Sequence, residues 1–124
     1  MKKIPAHLKK GDYVTFVSPS GFLEKGELDF PKELILKWGF KVIIGNNVYE
    51  KDGIFAGNDE QRAFDLNNAL LNKKVKAIFC TRGGYGAVRT IQKLDWNLFE
   101  SNPKWIIGYS DITVFHSLCN KYKI

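Results

Sequence analysis

Four short apolar runs, each followed by a turn or loop cluster and separated by helix-patterned segments, most constrain the fold of this chain. The runs are Asp12–Val17 (DYVTFV), Phe40–Ile44 (FKVII), Val75–Cys80 (VKAIFC) and Lys104–Ile107 (KWII). Their β-branched and aromatic residues read as strands. Between the first two, Phe30–Trp38 reads as a helix. Pro31 suits its first turn, Leu34, Ile35 and Trp38 recur at helical spacing, and Gly39 stops it. Asn58 is a good N-cap for a second helix, with Asp59 and Glu60 in the positive first turn, and Ala63, Phe64, Leu66, Leu70 and Leu71 are expected to face the core. Ala87–Leu94 reads as a third helix, Asp95–Phe99 as a short one, and Asp111 opens a last helix running almost to the end. Strand–helix alternation at this spacing means βαβ units: a three-layer α/β domain with a mainly parallel sheet and helices on both faces.

In such sheets, sites form beyond the carboxyl ends of the strands. Three loops are expected there: Ser18–Gly21, Arg82–Gly86 and Gly108–Asp111. In the third, Ser110 lies between a strand end and a helix start, where a nucleophile elbow would place its hydroxyl beside the N–H groups of the new helix. The glycine two residues before is present as Gly108, but the usual one two residues after is replaced by Ile112. The plainer alternative is a helix N-cap made by Ser110 or Asp111. Arg82-Gly83-Gly84-Tyr85-Gly86 could cradle an oxyanion or phosphate, because glycines let backbone N–H groups approach a ligand. It is neither GxGxxG nor a P-loop, and a plain turn is the alternative.

A nucleophilic serine needs a base, and the two histidines serve poorly. His116 lies six residues after Ser110 on one helix, about 600° of rotation away, so the side chains diverge. His7 precedes the first strand and belongs at the opposite edge of the sheet, and Asp111 is adjacent to the serine but should point elsewhere. If Ser110 is a nucleophile, its base lies outside these residues.

The length of 124 residues fits one domain, and 44% hydrophobic with 26% charged residues is ordinary for a soluble globular protein. No apolar run approaches the roughly 20 residues that span a bilayer. Met1-Lys2-Lys3-Ile4-Pro5 is basic, but no apolar segment follows, so a cytoplasmic location is expected. Cys80 and Cys119 read as buried thiols, not a metal or disulfide framework, and no metal is expected. The net charge of +6 could serve an acidic partner, but the lysines are dispersed and lack interleaved aromatics on one face. Neither nucleic acid nor membrane is expected as a partner.

Gly108-Tyr109-Ser110-Asp111-Ile112-Thr113, preceded by Arg82-Gly83-Gly84-Tyr85-Gly86, resembles the N-terminal domain of the LD-carboxypeptidases. These serine peptidases remove the terminal D-alanine from muramoyl tetrapeptides in peptidoglycan recycling. Pro5, Leu8, Gly11 and Asp12 resemble the family's opening segment, and Ser18-Pro19-Ser20 its first strand end. Ala56-Gly57-Asn58-Asp59 with Arg62 and Asp65 resembles its second-helix entry, and Asn102-Pro103-Lys104 its approach to the serine strand. The resemblance covers nearly the whole chain. It implies a flavodoxin-like or class I glutamine amidotransferase-like domain over residues 1–124, with a C-terminal domain absent from this chain that supplies a glutamate and a histidine.

The resemblance further implies that Ser110 is the nucleophile, with backbone N–H groups of Asp111 and Gly84 as the oxyanion hole. Arg82, Gly83 and Tyr85 would contact substrate, and the Arg82 fork suits a terminal carboxylate. No cofactor is implied. The 124-residue chain alone is then expected to be inactive and to self-associate, as a homodimer, through apolar surface at the domain contact, with Tyr85, Tyr109, Phe115 and Tyr122 as candidates. A related branch of the family cleaves a peptidyl-nucleotide antibiotic. The competing class is a non-catalytic module that binds an anionic ligand at the glycine loop.

Overall fold

The computed structural model describes residues 1–124. Four strands, β1 (Tyr13–Val17), β2 (Lys41–Ile44), β3 (Val75–Cys80) and β4 (Trp105–Ile107), form one parallel sheet in the order β2-β1-β3-β4. The helices are α1 (Asp29–Lys37), α2 (Asp59–Leu71), α3 (Ala87–Ile91), α4 (Trp96–Ser101) and α5 (Thr113–Lys121). This is a flavodoxin-like order whose direction reverses between β1 and β3, so the crevice opens at their carboxyl ends.

The central strands are covered on both faces, which is why they read as nearly continuous apolar runs. Val14 and Phe16 of β1 join Ala77, Leu23, Leu28, Ile35 and Val48 on the face covered by α1. Val17 and Ile78 join Leu66, Leu70, Phe99, Ile112 and Phe115 on the face covered by α2 to α5. The charged Lys76 is tolerated in β3 because the register shifts there: Tyr13 faces Val75 and Val14 faces Ala77. Lys76 then spends its ammonium on the Lys73 carbonyl, 3.1 Å away.

Helix ends follow the local chemistry, and several boundaries and faces differ from the sequence reading. Asn58 closes a capping box, with the Gln61 N–H donating to Asn58 Oδ1 at 2.8 Å and the Asn58 N–H donating to Gln61 Oε1 at 2.9 Å. Gly39 ends α1 with φ +92°, but Trp38 is 53% exposed. The third helix stops at Ile91 instead of Leu94, and the short helix is Trp96–Ser101 with Asp95 as its N-cap. In α2, Phe64 and Leu71 lie outside the core, at 51% and 61% exposure. At about 100° per residue they fall opposite the arc of Arg62, Ala63, Asp65, Leu66, Ala69 and Leu70 that is buried. Phe115 is another correction: it is fully buried with Ile112, whereas Tyr85, Tyr109 and Tyr122 are exposed. No helix is long and apolar enough to cross a membrane.

Candidate active site

The three expected loops meet at the carboxyl edge of the sheet. Each strand delivers its loop directly: β1 into Ser18–Gly21, β3 into Thr81–Gly86, and β4 into Gly108–Asp111. The first two are joined by a backbone bond from the Gly21 N–H to the Gly83 carbonyl, 3.0 Å, and by Ser18 Oγ lying 2.7 Å from Thr81 Oγ1. The first and third are joined by Ser20, whose hydroxyl donates to Asp111 Oδ2 at 2.6 Å. Asp111 does point away from the serine next to it, and into this junction.

Ser110 begins a single 3-10 turn, Ser110–Ile112, that leads into α5. Its φ is +58°, a left-handed conformation that a residue with a Cβ adopts at a cost of about 1–2 kcal/mol. The turn is closed by the Ile112 N–H donating to the Tyr109 carbonyl at 3.1 Å and by Thr113 Oγ1 donating to the Ser110 carbonyl at 2.8 Å. Gly108 makes the turn possible from below. A Cβ there would lie 2.6 Å from Ile112 Cγ2, so the glycine gives the buried Ile112 its seat. The isoleucine replacing the second elbow glycine is therefore a core anchor for the new helix.

The residue of the glycine loop that touches the serine is Gly83. A Cβ at this position would lie 3.0 Å from Ser110 Cβ, 3.1 Å from its Oγ and 3.3 Å from the Asp111 nitrogen. The buried Gly83 thus packs directly against the exposed Ser110 and faces the Asp111 nitrogen, a close approach that only a residue without a side chain allows. Gly84 has φ +110°, and a Cβ there would lie 3.5 Å from the Gly21 backbone. Arg82 is exposed, with its Nη1 donating to the Phe22 carbonyl at 3.3 Å and its Nε over Gly21. Tyr85, 71% exposed, and Tyr109, 74% exposed, are the aromatic side chains flanking this edge.

Neither histidine serves Ser110. The His116 ring lies against β4, with Nε2 3.1 Å from the Ile106 carbonyl. His7 follows Ala6, whose carbonyl accepts the Trp105 indole N–H at 2.9 Å, at the amino end of β4. Cys80, just upstream of the glycine loop, is held as a neutral thiol, since burial pushes its pKa up to about 12. Cys119 is likewise raised to about 11 by burial.

Behind the glycine loop lies a polar group that patterning assigned no structural task. The Arg62 guanidinium, 1% exposed, donates to the Gly57 carbonyl at 2.7 Å, to Thr90 Oγ1 at 3.1 Å and to the Asp59 carboxylate. Arg89 reaches the other Asp59 oxygen at 3.0 Å, and both guanidiniums lie over the Phe55 ring. Burial pushes the Asp59 pKa up, but hydrogen bonds and charge from the two arginines outweigh it and the net shift is downward. The available signal was a charged residue on the apolar arc of α2, which has to find partners.

The sequence pattern of the family described as LD-carboxypeptidase N-terminal domain matches residues 14–124. A Synechocystis protein bearing a carboxypeptidase name is 41% identical over 110 residues, covering 88% of this chain and 36% of that protein. The murein tetrapeptide carboxypeptidase of Pseudomonas aeruginosa is 30% identical, with 88% and 36% covered. Among solved structures, an MccF-like protein from Bacillus anthracis superposes with a TM-score of 0.88 at 31% identity, over 96% of this chain and 37% of that one. MccF itself is the microcin C7 self-immunity protein of Escherichia coli. The chain spans about a third of the length of the curated relatives it matches. With its parallel sheet, its serine turn and its glycine loop in one junction, the chain belongs to the LD-carboxypeptidase N-terminal domain family.

Proposed function

We propose that this domain carries the nucleophile of a serine carboxypeptidase, cytoplasmic in location, that releases D-alanine from the L,D peptide bond of murein tetrapeptides. The observation that carries this reading is the exposed Ser110, held at φ +58° on a strand-to-helix turn with Gly83 of the glycine loop packed directly against it. Ser110 Oγ attacks the carbonyl carbon of the L,D bond while a histidine from a second domain takes the hydroxyl proton, oriented by a glutamate. The tetrahedral oxyanion is held by the Asp111 N–H and by the glycine loop through Gly84. Its collapse breaks the C–N bond, the histidine returns the proton to the departing D-alanine, and water then hydrolyses the acyl-enzyme. Gly83, buried beside Ser110, brings the glycine loop against the serine, and the exposed Arg82 and Tyr85 line the substrate's approach. Turning Arg82 to a substrate carboxylate requires giving up its bond to the Phe22 carbonyl.

The test uses an L,D-linked tetrapeptide and measures released D-alanine. The 124-residue chain is expected to release none, because oxyanion and binding effects alone give roughly 10³–10⁴ over water, below detection for peptide hydrolysis. A polypeptide in which this domain is followed by the second domain is expected to turn over, and its Ser110→Ala variant to be inactive. Turnover by that variant would remove the serine from the mechanism. A second reading, favoured by the likeness to the MccF-like structure, takes a peptidyl-nucleotide substrate. Preferential cleavage of a peptidyl-nucleotide, read as release of its nucleotide part by the same two-domain polypeptide, would select it.

A further inference from the structure

The peptide unit between Gly86 and Ala87 is held at its N–H by Asp111 and braced at its carbonyl by the first turn of α3, which Arg62 supports through Thr90. Its N–H donates to Asp111 Oδ2 at 3.0 Å, the same oxygen that takes the Ser20 hydroxyl at 2.6 Å. Its carbonyl oxygen accepts the N–H groups of Thr90 at 2.9 Å and Arg89 at 3.0 Å, and lies 3.0 Å from Thr90 Oγ1 and 3.5 Å from Arg62 Nη2. Thr90 Oγ1 in turn accepts from Arg62 Nε and lies 3.0 Å from the Pro19 carbonyl. Two side chains, the Asp111 carboxylate on the serine turn and the Arg62 guanidinium on α2, thus tie the first loop, the glycine loop and the turn together around one peptide bond.

Buried charge is a poor route to stability, since apolar residues of similar volume often do as well. What a charged hydrogen bond adds is a defined direction and length. Oδ2 of Asp111 fixes the residue whose own nitrogen faces Gly83, and Arg62, through Thr90 Oγ1, braces the carbonyl end of the loop that carries Gly83. We propose that the Asp111 carboxylate and the Arg62 guanidinium are positioning residues that hold the serine turn and the glycine loop as one rigid unit, keeping the Asp111 N–H and the Gly83–Gly84 segment in register with Ser110 Oγ. The catalytic consequence rests on the peptidase reading above, but the rigid unit itself does not.

The experiment follows individual amide exchange rates by NMR in the 124-residue chain. Asp111→Ala is expected to speed exchange at Ala87 and Gly21 roughly tenfold or more, because bonds to a charged acceptor are the stronger kind. Amides of Phe16 and Ile78 in the sheet are expected to keep their rates. Asp111→Asn, which retains an oxygen for the Ala87 N–H, is expected to restore most of the protection. Wild-type exchange at Ala87 and Gly21 in Asp111→Ala, or a rise matched by the sheet amides, would overturn the proposal. Arg62→Lys, which keeps the charge but loses the fork, is expected to speed Ala87 exchange as well; an unchanged rate removes Arg62 from the device. In the two-domain polypeptide, Asp111→Ala is expected to lower kcat with KM little changed and Asp111→Asn to recover it, whereas an unchanged kcat overturns the catalytic part. An active Ser110→Ala variant would sink the peptidase reading while leaving the exchange result standing.

Discussion

Replacing Gly108 with alanine probes how the serine turn is built. The new Cβ would lie 2.6 Å from Ile112 Cγ2 and 3.0 Å from both Cβ and Cγ1. These atoms form the branch point of a fully buried side chain packed among Leu66, Phe99 and Phe115, so no flexible end can swing aside. Gly108 is not among the glycines with positive φ, so the penalty is steric and carries no backbone part. Forcing a methyl into a packed core costs about 1–3 kcal/mol. For a domain of this size each kcal/mol lowers Tm by roughly 3–5 °C, which gives a drop of about 3–15 °C. Urea denaturation checks it, with a lower midpoint and an unchanged m value. A double-mutant cycle identifies the cause. Ile112→Ala alone is expected to cost about 2–5 kcal/mol, yet in that background the alanine at 108 should cost at least ~1 kcal/mol less than in the wild type. Additivity within about 0.5 kcal/mol would refute the seat-and-anchor account of Gly108 and Ile112.

Ser110→Gly is expected to be at least as stable as Ser110→Ala, the reverse of the order inside a regular helix. Relief of the left-handed φ is worth about 1–2 kcal/mol and outweighs the roughly 0.5–1 kcal/mol of extra chain entropy that glycine loses; a glycine variant that melts below the alanine variant would contradict this. Lys104, 2% exposed, donates to the carbonyls of Asn72 and Val75, yet burial and, secondarily, the Lys76 charge lower its pKa from 10.5 to about 8. The unfolded chain therefore binds more protons between pH 8 and 10.5, so the cost of the buried ammonium is full below pH 8 and fades as pH rises. The Tm of the wild type minus that of Lys104→Met is expected to rise across this window; a flat or falling difference would refute it.

The strands were legible because parallel strands covered on both faces must be apolar along their length, as in Tyr13–Val17 and Val75–Cys80. The serine turn was legible because a β-branched run gives way to helical spacing across two residues. The inward face of α2 was not. Apolar residues were assigned to the core, but Phe64 and Leu71 point out while Arg62 and Asp65 point in. What admits those charges is partly distant in sequence: Thr90 for Arg62, besides the nearby Gly57 and Asp59, and Asn47 for Asp65, with the Asn47 side-chain amide and backbone N–H both donating to the carboxylate. Burial raises the Asp65 pKa against the pull of those bonds. Phe115 could have been placed correctly, since Ile112, Phe115 and Cys119 recur at three and four residues and form one stripe toward the core.

The same distinction explains why the local elbow pattern was incomplete. A G-x-S-x-G turn keeps its small residues within five positions, but this chain spreads the requirement over two loops. Position 112 is free to hold an isoleucine because Gly108 makes room for it, and that isoleucine anchors α5 in the core. The small residue that lies against the serine then has to come from a different strand, and Gly83, 27 residues earlier in the chain, provides it. Only the parallel pairing of β3 with β4, which sets Phe79 beside Ile107, carries the two loops to the same edge. A motif confined to residues 108–112 has no access to that pairing. The coincidence of Arg82–Gly86 and Gly108–Asp111 at the carboxyl ends of adjacent strands was therefore a stronger sign of the site than either loop alone.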